Sequence, residues 1–171
     1  MMKKINRGKQ FEGEFIKGIT DVKMTSIDRL IDPMGGYLGV GNICDFIIYQ
    51  NPFQYYFECK STTKGVLNFT NDISNTQWEG LIQKSYYPGV TAGFVIWFIS
   101  FERVIFVPAS EMLKIRKLGH ASLKLSDVDK GLVDIYNVPM IIKRVLPKIK
   151  TLKFLEMLAD NYTDWRWIPI E

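Results

Sequence analysis

The sequence predicts one α/β domain in which a mixed central β-sheet is flanked by helices. Aromatic and β-branched runs on both sides of Asn51-Pro52 predict a β-hairpin, because Asn-Pro is a turn signal. The nearly continuous apolar run over residues 91–100 predicts a strand buried on both faces. Helical periodicity over residues 9–20 and 74–87 predicts two helices that cover this sheet.

The first predicted helix carries an acidic residue in an unusual place. On a helical wheel, Phe11, Phe15 and Ile19 share one apolar arc. Glu12 falls inside that arc, whereas Glu14 falls on the polar side. Because a buried carboxylate is costly unless it is paired or bound to a metal, Glu12 is a candidate functional residue. Glu14 is interpreted as an ordinary surface acid.

The predicted hairpin places two carboxylates against each other. With Asn51 and Pro52 at the centre of the turn, Asp45 lies opposite Glu58, and Lys60 points the same way as Glu58. Opposed carboxylates weaken strand pairing, so a divalent cation held between them is one explanation. Lys60 would then place a positive charge where an anionic transition state forms. A surface hairpin whose charges merely face water is the alternative.

The remaining elements are predicted from the same signals. A first strand over residues 22–30 leads into a glycine-rich loop over residues 32–42. Ser74 is a suitable N-cap for the second helix, with Gln77 on the rim of its apolar face. The tail, residues 139–161, is predicted to be helical with an interruption at Pro147.

One further strand and one further helix complete this prediction. A strand over residues 103–107 is expected to run antiparallel to the buried one, followed by a short helix over residues 109–117. His120 lies in a loop and is interpreted as a surface residue. Cys44 and Cys59 lack the spacing of a zinc site, so we expect buried free thiols in a reducing compartment.

Composition limits the function classes. The 171 residues are 47% hydrophobic and 23% charged, which is typical of a single globular domain over residues 1–171. The net charge of +4 modestly favours a polyanionic partner. The glycine-rich loop lacks the ending of a phosphate-binding P-loop, so nucleotide hydrolysis is not expected. Neither a membrane span nor a signal peptide is recognisable, and a cytoplasmic location is expected.

Basic residues concentrate at the two ends of the chain. Residues 1–8 are predicted to form a basic arm, and the tail carries a second group of cations. Phosphate contact and simple solvation remain alternatives for both groups. The candidate DNA-binding residues are Lys3, Lys4, Arg7, Lys9, Arg29, Lys143, Arg144 and Lys148.

The order of these features resembles a known nuclease pattern. Asp45, followed at a distance by Glu58-Cys59-Lys60, is similar to the motif of the PD-(D/E)xK nucleases. Together with Glu12 and Gln77, the chain resembles the RecU-type Holliday-junction resolvases along nearly its whole length. The resemblance implies a restriction-endonuclease-like core in a protein of bacterial or phage origin. It also implies that Asp45, Glu58 and Gln77 bind Mg²⁺, with Mn²⁺ as a possible substitute. Glu12, Asp45, Glu58, Lys60 and Gln77 are then the candidate catalytic residues.

The expected function is therefore a magnesium-dependent, structure-selective DNA endonuclease. By the resemblance it acts as a homodimer that resolves four-way junctions by paired symmetric nicks, in partnership with a branch-migration helicase or a recombinase. A restriction or flap-type nuclease of the same fold is one alternative. A non-catalytic DNA-binding recombination protein is another.

Two departures from the family bear on the substrate. Ile43 replaces a threonine that serves the family as a metal ligand. The family's long basic stalk, which enters the junction centre, is replaced by the glycine-rich loop over residues 32–42. The missing stalk puts junction preference in question more than phosphodiester cleavage.

Overall fold

The computed structural model describes residues 6–19, 22–30, 41–143 and 145–162. Its helices are α1 (Arg7–Lys17), α2 (Phe69–Asp72), α3 (Asn75–Ser85), α4 (Ala109–Lys117), α5 (Leu125–Asp129) and α6 (Thr151–Asp160). Its strands are β1 (Thr25–Arg29), β2 (Phe46–Gln50), β3 (Phe53–Thr62), β4 (Val66–Asn68), β5 (Val90–Phe98), β6 (Arg103–Pro108), β7 (Ser122–Lys124), β8 (Tyr136–Asn137), β9 (Met140–Lys143) and β10 (Leu146–Ile149).

A six-stranded mixed sheet forms the centre of the fold. Its strand order is β1-β2-β3-β5-β6-β8. The β3–β5 pair is parallel, and the other neighbouring pairs are antiparallel. Because parallel neighbours need a crossover connection, α2 and α3 lie between β3 and β5 in the chain. The predicted mixed α/β sheet with flanking helices is confirmed.

Each face of the sheet has its own hydrophobic core. On one face, Trp78 and Leu81 of α3 pack with Tyr56 of β3. On the other face, Phe11 and Phe15 of α1 pack with residues of β2, β3 and α6. Side chains of a strand alternate between faces, so Glu58 shares the α3 face with Tyr56.

Several sequence predictions match the structure closely. The strand predicted over residues 91–100 is β5, which is buried along most of its length. The antiparallel β5–β6 pair and the helix over residues 109–117 are also present. Ser74 caps α3 as predicted. The first helix, α1, spans Arg7–Lys17 rather than residues 9–20, and the first strand, β1, is the shorter segment Thr25–Arg29 within the predicted residues 22–30.

The prediction of a helical tail is wrong for its first half. Residues 139–149 contain the antiparallel pair β9–β10, in which Pro147 lies opposite Ile142. Proline has no N–H to donate and disfavours a helix interior, while the Ile141-Ile142 pair favours a strand. Lys148 is exposed between buried Pro147 and Ile149, a strand alternation rather than a helical stripe. The helical part of the tail is α6.

None of the helices in the described part of the chain is long and apolar enough to cross a membrane.

Candidate active site

The β2–β3 hairpin brings the two predicted carboxylates together. Its register pairs Phe46 with Phe57, as expected from a turn centred on Asn51-Pro52. Asp45 directly precedes this ladder, and its N–H donates to the carbonyl oxygen of Phe57 over 3.1 Å. The backbone N–H of Cys59 donates to Asp45 Oδ2 over 2.7 Å. The hairpin backbone therefore holds the Asp45 carboxylate beside β3.

Glu58 is the buried acid of the site, with 3% of its surface exposed. Its Oε1 accepts a hydrogen bond from Gln77 Nε2 at 2.6 Å and lies 2.9 Å from Lys60 Nζ. Its Oε2 is buried and has no hydrogen-bond partner among the described residues. Burial, followed by the negative charge of Asp45, raises the pKa of Glu58 from 4.5 to about 8, although Lys60 opposes the rise.

Gln77 is held by the start of α3. Ser74 Oγ accepts from the Gln77 backbone N–H at 3.2 Å, and Gln77 Oε1 accepts from the Ser74 N–H at 3.1 Å. This reciprocal capping box fixes which end of the amide faces Glu58. Gln77 Oε1 also accepts from Lys60 Nζ at 3.2 Å. Metal ligation by this oxygen stays a prediction, and it would require these hydrogen bonds to be given up.

Glu12 approaches the site from α1, and burial does not separate it from Glu14. The two side chains are 19% and 20% exposed, respectively. Glu12 Oε2 pairs with Arg29 Nη2 at 2.6 Å, whereas Glu14 pairs with Lys17. The negative charge of Glu12 also contributes to the raised pKa of Glu58. Proximity to the other acids, rather than burial, is what distinguishes Glu12.

The two cysteines next to the site are buried free thiols, as predicted. Burial raises the pKa of Cys44 to about 12 and that of Cys59 well above its ordinary value. The nearby charges of Asp45 and Glu58 act in the same direction. Both thiols therefore stay neutral near pH 7 and lack the thiolate needed for nucleophilic attack.

The predicted DNA-binding residues in the described part of the chain lie on three elements, α1, β1 and β10. Arg7 and Lys9 lie in the first turn of α1. Arg29 is engaged by Glu12, so its charge is partly offset. Lys148 is exposed on β10. Lys3, Lys4, Arg144, the side chain of Lys143 and the loop over residues 31–40 lie outside the described residues.

The residues present fit a divalent cation such as Mg²⁺. Glu58 Oε2 is buried without a hydrogen-bond donor from the described residues, and it lies next to the Asp45 carboxylate. Carboxylate oxygens of this kind are ligands that Mg²⁺ prefers. The described residues contain no group of three or more His, Cys, Asp or Glu that could hold a metal. The protein would therefore contribute Asp45 and Glu58, and Mg²⁺ ordinarily retains several waters or binds substrate phosphates.

Three contacts that complete the site were not predicted from the sequence. The Cys59 N–H orients Asp45, Ser74 orients Gln77 and Arg29 pairs with Glu12. Only Ser74 had a visible signal, since a serine three residues before a glutamine is typical of a capping box. The other two contacts depend on how separate elements meet.

No family model matches the chain, and no curated protein matches it either. Among solved structures, the chain is similar to Hjc, a Holliday junction resolvase of the archaeal hyperthermophile Archaeoglobus fulgidus. The two share 15% sequence identity with a TM-score of 0.45, and the match covers 61% of this chain and 78% of that chain. A likeness at this level does not identify an activity, so the geometry of the site is the basis for a functional proposal.

Proposed function

We propose that this protein is a magnesium-dependent, structure-selective DNA endonuclease that resolves four-way junctions. The observation that carries the proposal is the state of Glu58. Its carboxylate is buried beside Asp45, and one oxygen lacks any donor among the described residues. Such an arrangement costs stability in the absence of a cation, and it is useful where a cation is bound during catalysis.

In this proposal each side chain has a separate task. Asp45 and Glu58 bind Mg²⁺, which supplies Lewis-acid activation and charge neutralisation at the phosphate. Lys60, held 2.9 Å from Glu58 Oε1, offsets negative charge that develops on the phosphate during hydrolysis. Gln77 keeps both groups in place through its bonds to Glu58 and Lys60. Glu12 and Arg29 border the acids from α1 and β1.

The substrate class follows from charge and from the resemblance of the sequence to RecU-type resolvases. A protein of net charge +4 is suited to a polyanion such as DNA. Two symmetric cuts require two active sites, so a homodimer is part of the proposal. A helicase or a recombinase acting at the same junction is a natural partner.

The test is cleavage of labelled four-way junction, flap and linear duplex, with Mg²⁺, Mn²⁺ or EDTA. Paired nicks in the junction, dependent on the metal and lost in Glu58→Gln, are the expected result. Cutting of the flap or duplex in preference to the junction would instead indicate a flap or restriction-type nuclease. DNA binding without cutting under any metal would indicate a non-catalytic recombination protein and overturn the proposal.

A further inference from the structure

A cavity of about 670 Å³ opens to solvent where β3 ends. Its wall combines the start of α1, the end of β3 and the turn after β5. The lining residues are Asn6, Arg7, Ile99 and residues 61–64. Ser61 directly follows Lys60 in the chain, so the cavity begins one residue beyond the candidate active site.

The lining has the chemistry of an anion site. It contains two cations, Arg7 and Lys64, and the hydroxyls of residues 61–63, but no carboxylate among the described residues that form it. Arg7 Nη1 donates to Gln10 Oε1 at 3.2 Å, a neutral acceptor that leaves its charge uncompensated. Within the described residues no ion pair involves Arg7 or Lys64. Arg29 and Lys60 differ, since each pairs with a glutamate.

The backbone of this segment is held in place by its own hydrogen bonds. Thr62 Oγ1 accepts from the Lys64 N–H at 3.1 Å and donates to the Val66 carbonyl oxygen at 3.3 Å. At Gly8, α1 lies beside β3, since a side-chain carbon at this position would make an ordinary van der Waals contact with Ser61 Oγ at 3.7 Å. Arg7 of α1 and Lys64 of the turn between β3 and β4 therefore line the cavity from two segments of the chain.

The spacing along β3 relates this cavity to the site. Thr62 projects from the same face as Lys60. Two residues at the usual rise of a strand place it about 7 Å further along β3. A DNA strand whose reacting phosphate lies beside Lys60 can therefore carry another phosphate into the cavity. The open shape suits a passing strand better than an enclosed small molecule.

We propose that this cavity binds a backbone phosphate of the DNA strand next to the reacting phosphate. Arg7 and Lys64 supply the charge, and the hydroxyls of Ser61 and Thr63 donate hydrogen bonds to the phosphate oxygens. The inference rests on the proposed nuclease function, and it adds Lys64 and this polar segment to the DNA-binding residues.

The experiment measures DNA affinity across a salt series for the full-length protein in EDTA, so that cleavage is not required. The slope of log K against log salt is negative, and each lost phosphate contact should make it less steep by about 0.9. In the double variant Arg7→Ala/Lys64→Ala, the slope of log K against log salt is expected to be less steep by about 1 to 2. The variant is also expected to bind DNA several-fold more weakly at low salt. Lys117→Ala, which removes an exposed cation from the end of α4, is the matched control and should keep the wild-type slope.

The outcomes separate this inference from the proposed function. A double variant that folds, by its melting temperature, and retains the wild-type slope overturns the cavity as a phosphate site even if junction cleavage is observed. A reduced slope supports the cavity even if the wild type cuts no DNA. Should inorganic pyrophosphate raise the melting temperature of wild type but not of the double variant, while DNA binding is the same in both, the ligand is a free phosphate and the strand proposal fails.

Discussion

Lys60 Nζ lies 2.9 Å from Glu58 Oε1, and the two side chains project from the same face of β3. The pair is largely buried, with 19% and 4% of the side chains exposed. The lysine does not compensate Glu58 fully, since the pKa of the acid is still raised to about 8. A buried ion pair of this kind is weak evidence for stability. In the proposed function, a bound Mg²⁺ would supply the positive charge that Lys60 does not provide.

Without metal, the protein should lose stability as the pH rises from about 4.5 to about 8. The pKa of Glu58 is 4.5 ordinarily and about 8 in the folded protein, so in this window the folded state holds a proton that the unfolded chain has released. Raising the pH therefore favours unfolding. Melting temperatures in EDTA at several pH values should show this decline in wild type and a shallower one in Glu58→Gln. Equal declines in both proteins would contradict the prediction.

Mg²⁺ should stabilise the wild type most at the alkaline end of the same window. Binding requires ionised Glu58, so the shift in melting temperature on adding Mg²⁺ should grow as the pH approaches about 8. In Asp45→Asn this shift should be much smaller, because one of the two carboxylates is gone. A metal-induced shift of the same size in Asp45→Asn would argue against ligation by this residue.

Asp45→Asn should abolish cleavage and leave DNA binding intact or tighter. The amide removes a negative charge that repels phosphate, while its oxygen can still accept from the Cys59 N–H. In EDTA the variant should also melt at a higher temperature than wild type, since the repulsion between Asp45 and Glu58 is removed. The readouts are junction cleavage, DNA affinity and melting temperature. Loss of binding together with cleavage in a folded variant would count against the metal site.

Glu12→Ala should reduce turnover by about 10- to 100-fold, the range typical of residues that support metal ligands. The physical reason is that Arg29 loses its partner beside the acids and Glu58 loses a neighbouring charge. Glu14→Ala is the matched control, since it removes a similarly exposed acid of the same helix, whose ion pair among the described residues is with nearby Lys17. Single-turnover junction cleavage measures both. Similar losses of cleavage rate in the two variants would show that Glu12 does not support the active site.

Gln77→Ala should harm cleavage more than Ser74→Ala does at a similar loss of stability. Each substitution breaks the capping box of α3, at a cost of ~1 kcal/mol in unfolding free energy. Only Gln77→Ala also removes the amide N–H that donates to Glu58 Oε1 and the amide oxygen that accepts from Lys60 Nζ. Chemical denaturation and cleavage rates should be compared for both. If the two variants lose activity in proportion to stability alone, Gln77 acts only as a helix cap.

Local signals in the sequence determined much of the fold. The turn at Asn51-Pro52, the apolar run of β5 and the Ser74 cap were each readable, because turn chemistry, alternation and capping depend on neighbouring residues. The hairpin register follows from the turn, and it placed Asp45 next to Glu58. The pairing of β9 with β10 was misread, since β-branched residues and a proline leave a short segment ambiguous between helix and strand.

The tertiary structure alone decided how the site is completed. The Glu12–Arg29 ion pair joins α1 to β1 across 17 residues, and the bond from Gln77 to Glu58 joins α3 to β3 across 19. Such contacts depend on how helices are packed on the two faces of the sheet, and no local pattern specifies that packing. Burial by surrounding elements likewise leaves Glu58 Oε2 without a hydrogen-bond partner among the described residues. The local sequence predicted which acids form the site, whereas the burial that raises the pKa of Glu58 comes from tertiary packing.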